Sequence, residues 1–273
     1  MWTLNRMIGG LLEGLLLPFR GFPAAVGLTV VSVLAGVGML VVFKATSDQP
    51  RLATAKRRIQ AAILEIRLFN EDPRFVLAAQ RDALLHSLAY LRLTLVPLLW
   101  MALPLLVLMA HLQTYYGYRS LAVGETAIVT ARFAPGDAAH PVPVLAGDGG
   151  VAVGTPMLWI PTLGEARWRI AATAPGAHQV RLILGGEVLT KTVLVSGGVG
   201  RHSARRPSTG WLGQILYPAE PPLAGGGAVT AIEMGYPQAT VGLLGWDAHW
   251  VVGFLILTLL AALALRGTLR VTF

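Results

Sequence analysis

Cysteine is absent from the 273 residues. That excludes disulfides, thiolate metal sites and cysteine nucleophiles, and it leaves the redox compartment open. Charge is scarce too. Charged residues make up 13% of the chain, against the ~25% of ordinary soluble domains. Also missing are Gly-x-Ser-x-Gly, a Walker loop, His-Glu-x-x-His and a dinucleotide fingerprint. The chain therefore reads as a non-enzyme with no cofactor. Its one adjacent carboxylate pair, Glu71-Asp72, fits helix capping better than acid–base chemistry. The cations, which give a formal charge of +8, are scattered rather than clustered on a nucleic-acid module, so nucleic-acid recognition is not expected.

What the chain has in quantity is apolar sequence. Ala24 to Phe43 and Leu93 to Leu112 each run without a formal charge, and a third run covers Trp250 to Leu265. A helix needs ~20 such residues to cross a bilayer. The expected fold class is an integral membrane α-helical protein with three transmembrane helices, at 24–43, 93–112 and 249–265. Its polar parts become inserts between the spans. No charge lies deep in any run, which argues against an ion or proton pathway.

Residues 45–91 carry Lys44 at their edge, then Arg51, Lys56, Arg57, Arg58 and further arginines up to Arg92. A short loop this basic belongs in the cytoplasm by the positive-inside rule, and Arg266 and Arg270 after the third run agree. The expected setting is a bacterial inner membrane. The N-terminus and the large 114–249 insert would lie outside, and the 266–273 tail inside.

Before the first span, residues 1–22 read as an interfacial amphipathic helix, with Pro18 and Pro23 bending the chain into the membrane. The cytoplasmic insert reads as a helical hairpin. Leu52, Ala55, Ile59, Ile63, Ile66 and Phe69 recur at spacings of three and four. Asn70, Asp72 and Pro73 mark the turn, and Val76, Leu77, Leu84, Leu88 and Leu91 form the facing stripe. The two stripes are expected to bury each other and expose a basic surface at Lys56, Arg57, Arg58 and Arg92, a candidate contact for lipid or partner.

From Gly124 the composition turns to short β-rich strings separated by Gly and Pro turns, which predicts an antiparallel sandwich over 119–197. The strings are Ala127–Phe133, Pro141–Leu145, Pro156–Ile160, Trp168–Ala172, Gln179–Leu184 and Val188–Val195. The stretch from Trp168 through Val195, with its Pro175-Gly176 corner, resembles the last three strands of a bacterial immunoglobulin-like domain. Residues 198–248, rich in Gly and Pro, are expected to wrap along the sandwich or the membrane surface. Trp211, Trp246 and Trp250, with Tyr115, Tyr116 and Tyr118, fit an aromatic belt. His111 and His249 near the outer span ends are the candidate ligands, should a haem or chlorin sit between helices. Gly27, Gly36 and Gly38 give the first span a smooth surface for close helix contact.

The order of spans, with a basic hairpin between the first two, resembles in layout the three-span core of the YidC-type membrane insertase superfamily, with an immunoglobulin-like domain added. That resemblance implies an insertase-like chaperone of membrane proteins, with nascent membrane chains or the ribosome as partners. The residues themselves point first to a non-catalytic accessory or scaffold subunit of a larger membrane assembly. Its partners would be membrane lipids and other integral membrane proteins.

Overall fold

The computed structural model describes residues 2–68, 73–134, 142–208, 210–224, 227–243, 245–268 and 271. Phe69, Asn70, Glu71, Asp72, the Pro135-Gly136 turn, Pro141 and Arg270, all invoked above, lie outside them. The chain forms two compact units. One combines Met1–Leu28 with Val107–Gly253, and the other Thr29–Leu106 with Phe254–Phe273.

The second unit is helical. It takes in most of α2 (Ala24–Thr46), all of α3 (Gln49–Leu68), the longer part of α4 (Pro73–Tyr116) and most of α6 (Trp250–Leu265). α4 runs unbroken for 44 residues with Pro97 and Pro104 inside it. Two helices are long and apolar enough to cross a membrane, α2 and the Val76–Tyr116 part of α4. α6 has only 16 residues, so the third expected span is short of the usual length.

Leu40, Phe43, Leu52 and Val271 form a small core in this unit, flanked by Tyr90, Leu93 and Met101. Gly36 shows why glycine sits in α2. A Cβ there would lie 2.9 Å from the Thr258 carbonyl oxygen and 3.2 Å from the Ala261 Cβ on α6. Gly38, by contrast, faces open space. Gly36→Leu is expected to destabilise the helical unit by about 1–3 kcal/mol, the usual cost of overpacking. Gly38→Leu should be close to neutral in the same thermal melt in detergent.

The hairpin departs from expectation. Leu52 and Ala55 on α3 are buried, but Ile63, Leu64 and Leu68 are exposed. On α4, Leu77, Leu84, Leu88 and Leu91 are exposed as well. The two leucine stripes do not seal against each other. Amphipathic spacing fixes which residues share a face, and here that face lacks a cover within the described residues.

The first unit is built on two antiparallel sheets. The larger has strand order β3 (Val151–Val153), β5 (Glu165–Ala172), β1 (Thr126–Phe133), β9 (Val229–Met234), β8 (Arg205–Pro207), with β4 (Leu158–Ile160) also paired to β5. The smaller runs β2 (Val144–Gly147), β6 (Gly176–Leu184), β7 (Glu187–Val195). A separate ribbon pairs β10 (Val241–Leu243) with β11 (Trp246–Ala248).

Period-two alternation sends one side of each strand inward. Val129, Ala131, Trp168, Ile170, Val180, Leu182, Val193 and Val195 meet in one core between the two main sheets. The region is therefore sandwich-like. Residues 198–248 do more than wrap it, since they supply β8 and β9, and β9 pairs along β1 from Val129↔Met234 to Phe133↔Val229.

α1 (Trp2–Leu16) buries Asn5, Gly9, Leu12 and Leu16, while Leu4, Met7 and Leu11 stay exposed. Its inner face is fixed to this unit: Asn5 Nδ2 donates to the Gln214 carbonyl on α5 (Trp211–Leu216) at 2.5 Å.

Candidate functional site

The basic residues singled out in the hairpin are all exposed: Lys56, Arg57 and Arg58 on α3 and Arg92 on α4. Between the two helices lies an open groove of about 370 Å³. Arg51, Arg58 and His86 supply its polar lining, and Ala55, Ala89 and Leu93 its apolar one. Arg51 is engaged by Asp48 at 3.0 Å. This groove can accept a chain that is apolar along one side and carries an acceptor or negative charge on the other.

The aromatic belt divides. Trp211 and Trp246 are 61% and 81% exposed, as an interfacial role requires. Trp250 is only 1% exposed, and its indole Nε1 donates to Gln113 Oε1 at 2.9 Å. Tyr115 and Tyr116 are buried too. These three anchor the first unit internally and do not face the surroundings.

The histidines also fall apart as a ligand pair. His111 is buried with both ring nitrogens against backbone carbonyls, Val107 O at 2.9 Å and Asn5 O at 3.3 Å. A carbonyl oxygen stands in front of each nitrogen, in the place a metal would take. His249 is exposed, and its Nδ1 accepts from Val251 N–H at 3.3 Å at the start of α6. Among the described residues no cluster of three His or carboxylate groups could hold a metal ion.

Two polar centres in the first unit were not found from the sequence. In β7 the inward set is Leu189, Lys191, Val193, Val195, so strand alternation drives a lysine into the core. Its ammonium is met by the Glu220 carboxylate at 2.6 Å, by Ser203 O at 2.5 Å and by Ser203 Oγ. Glu220 also accepts from Ser203 Oγ at 2.6 Å and from Thr192 N–H at 2.7 Å.

Burial pushes the lysine down to about 8, against the pull of Glu220. Burial works against ionisation of Glu220 as well. The Lys191 charge and the hydrogen bonds from Lys191, Ser203 and Thr192 outweigh it and hold the carboxyl below its usual range. A lysine at a core position of an alternating strand was the available signal. Its partner, 29 residues on, carried none.

The second centre is a cavity of about 130 Å³. Tyr115, Ser120, Gly197, Gly198 and His202 contribute to its wall. Ser120 Oγ lies 3.0 Å from His202 Nε2, and burial keeps that imidazole's pKa below its ordinary value. The edge of the Tyr236 ring packs against the imidazole, with centroids 5.3 Å apart. Ser196, at the head of the Gly197-Gly198 turn, has φ 48°, the one positive φ outside glycine among the described residues. Such a conformation costs on the order of 1–3 kcal/mol and collects at sites that need it.

Arg119, which lines the cavity, forms a two-pronged pair with Glu125 at 2.8 Å per contact. The Arg119 hydrogen bonds, and then the Ala122 N–H, hold the Glu125 carboxyl down at about 2. No protein-family model, curated protein or solved structure matches this chain. Function must therefore be read from the geometry.

Glu125 and Glu220 both ionise more easily folded than unfolded. Their stabilisation is complete above the ordinary value of 4.5 and is lost as pH falls below it, for Glu125 down to about 2. Melting temperature in detergent should drop across that window. Glu125→Gln should flatten the drop, and an unchanged acid limb in that variant would contradict the assignment.

Proposed function

We propose that this chain is an integral membrane protein that serves as a non-catalytic docking subunit of a larger membrane assembly. The positive-inside pattern puts the hairpin and the C-terminal tail in the cytoplasm and the β unit in the periplasm of an inner membrane, with α2, α4 and the shorter α6 as the spans. The two strands of β6–β7 with β5 fit the immunoglobulin-like reading of that β unit.

One observation carries the docking role. Only 11% of the most apolar window of α4 is buried, and its outward face runs on from Leu95, Leu99 and Leu103 back to Leu91, Leu88, Leu84 and Leu77. Lipid tails can cover the first three. Leu77 to Leu91 share their helix segment with Arg74, Arg81 and Arg92, which places them outside the hydrocarbon. At ~1.5 Å per residue that segment extends about 20 Å. An exposed leucine face of that length in water calls for protein to cover it, and the complementary partner is an apolar helix of a second membrane protein.

Gentle detergent extraction followed by mass spectrometry tests this. The expected result is a fixed set of membrane partners at near-equal amounts. A clean monomer in every mild detergent would contradict the docking role.

A second reading, an insertase-like chaperone, draws support from the cationic groove between α3 and α4. It requires that charge reversal at Lys56, Arg57 and Arg58 weaken crosslinking to nascent membrane proteins. Undiminished crosslinking after that change would count against it.

A further inference from the structure

From the exposed apolar faces of α1 and α5 we infer a lipid-binding platform that seats the β unit on the leaflet beside it. This platform presupposes the membrane placement of α2 and α4, but not the docking role.

α1 is sided twice over. Asn5, Gly9, Leu12 and Leu16 recur at spacings of three and four and face the protein. The surface left outside is itself divided. Leu4, Met7 and Leu11, again three and four apart, are between 50% and 74% exposed. Arg6 and Glu13 each come two residues after a member of that stripe, about 200° further round the helix. Both are exposed, and Glu13 pairs with Arg20 at 2.9 Å. Water alone gives a helix no reason to gather its outer leucines on one side and its charges on the other. A boundary between hydrocarbon and water imposes that order.

The two ends of α1 touch the ends of two spans. The Asn5 carbonyl lies 3.3 Å from His111 Nε2, at the close of the uncharged run of α4. A Cβ added to Gly27, in the first turn of α2, would stand 3.2 Å from Leu16 Cδ2 and 2.7 Å from the Tyr116 hydroxyl. From Asn5 to Leu16 the axis of α1 covers about 17 Å, whereas His111 to Tyr116 covers only about 8 Å of α4. α1 therefore runs more across the span ends than along them. That is the attitude of a helix lying in the plane of the membrane, where acyl chains meet headgroups.

α5 is held at the same level, because Asn5 Nδ2 also donates to the Gln214 carbonyl at 2.5 Å. Its Trp211, Leu212 and Leu216 are each more than half exposed. An indole, apolar with a polar edge, favours this interface. Trp246 stands four residues ahead of Trp250, where α6 begins, and adds a third exposed apolar contact. Lipid is the occupant because the leaflet already surrounds the span ends that these helices touch.

The chain has no cysteine, so single cysteines can be spin-labelled without background. Leu11→Cys, Leu212→Cys, Arg6→Cys and Leu103→Cys are made in the full-length protein and placed in phosphatidylcholine–phosphatidylglycerol vesicles. Each label is then exposed to oxygen, which concentrates in hydrocarbon, and to a water-soluble nickel chelate. The oxygen-to-nickel accessibility ratio should be at least about tenfold higher at Leu11 and Leu212 than at Arg6, which faces water. Leu103, in the middle of the span, should give a high ratio as well. Nickel access at Leu11 and Leu212 equal to that at Arg6, with Leu103 still high, would overturn the platform and leave the span in place. Exclusion of both reagents from Leu11 and Leu212 would mean that protein covers the face, and would overturn it too. A low ratio at Leu103 would overturn the membrane placement and the platform together.

Discussion

Lys191→Met should destabilise the β unit by about 3–5 kcal/mol, the usual cost of removing one member of a buried pair. The substitution keeps the length of the side chain and its fit among Leu189 and Val193. It takes away the donor that satisfies Glu220 and Ser203. The remaining carboxylate, on a side chain 10% exposed, must then stay charged without its cation or take up a proton. Lys191→Met combined with Glu220→Leu should recover most of the loss, because replacing the whole pair with apolar groups is often neutral. Urea unfolding of the full chain in detergent, followed by tryptophan fluorescence, measures both. A single-variant cost below about 1 kcal/mol would show that the pair is solvated, contrary to its geometry.

The second large effect concerns the bilayer. Leu99→Arg with Leu103→Arg places two cations in the middle of the apolar half of α4, both at exposed positions. Each arginine costs about 2.5–3.5 kcal/mol at the centre of a span. Membrane integration should therefore fall sharply, with most of the chain extracted by alkaline carbonate. The same pair of arginines at Leu84 and Leu88, in the hairpin, should leave integration intact. Equal extraction of the two variants would contradict the placement of the span.

The apolar helices were legible because hydropathy accumulates over twenty neighbouring positions, and local turns or distant partners hardly alter it. Six strand positions of the sandwich were legible for a similar reason: alternation and Gly or Pro turns are local. β9 was missed because Val229–Met234 sits between the glycine run at 225–227 and Gly235 and carries Glu233. That carboxylate reads as a loop residue until Arg132 is found beside it at 2.8 Å. The hairpin was half legible. Spacing identified Leu84 and Leu88 as one face but could not tell whether the protein covers it. Trp250 looked interfacial from its place at a span end, whereas it is buried with its indole bonded to Gln113, 137 residues away. The polar centres were the least legible part. Ser120 and His202 are 82 residues apart and meet because Leu121 bridges to Val195 at the end of β7 and the His202 N–H donates to the Thr114 carbonyl.

Photocrosslinking from Leu84 and Leu88 in native membranes asks directly whether protein covers the leucine face of α4. A docking subunit should give one discrete protein adduct from both positions, with none from Arg57 on the solvated side of α3. Adducts to lipid alone, or no adduct from either leucine, would show that no partner covers this face.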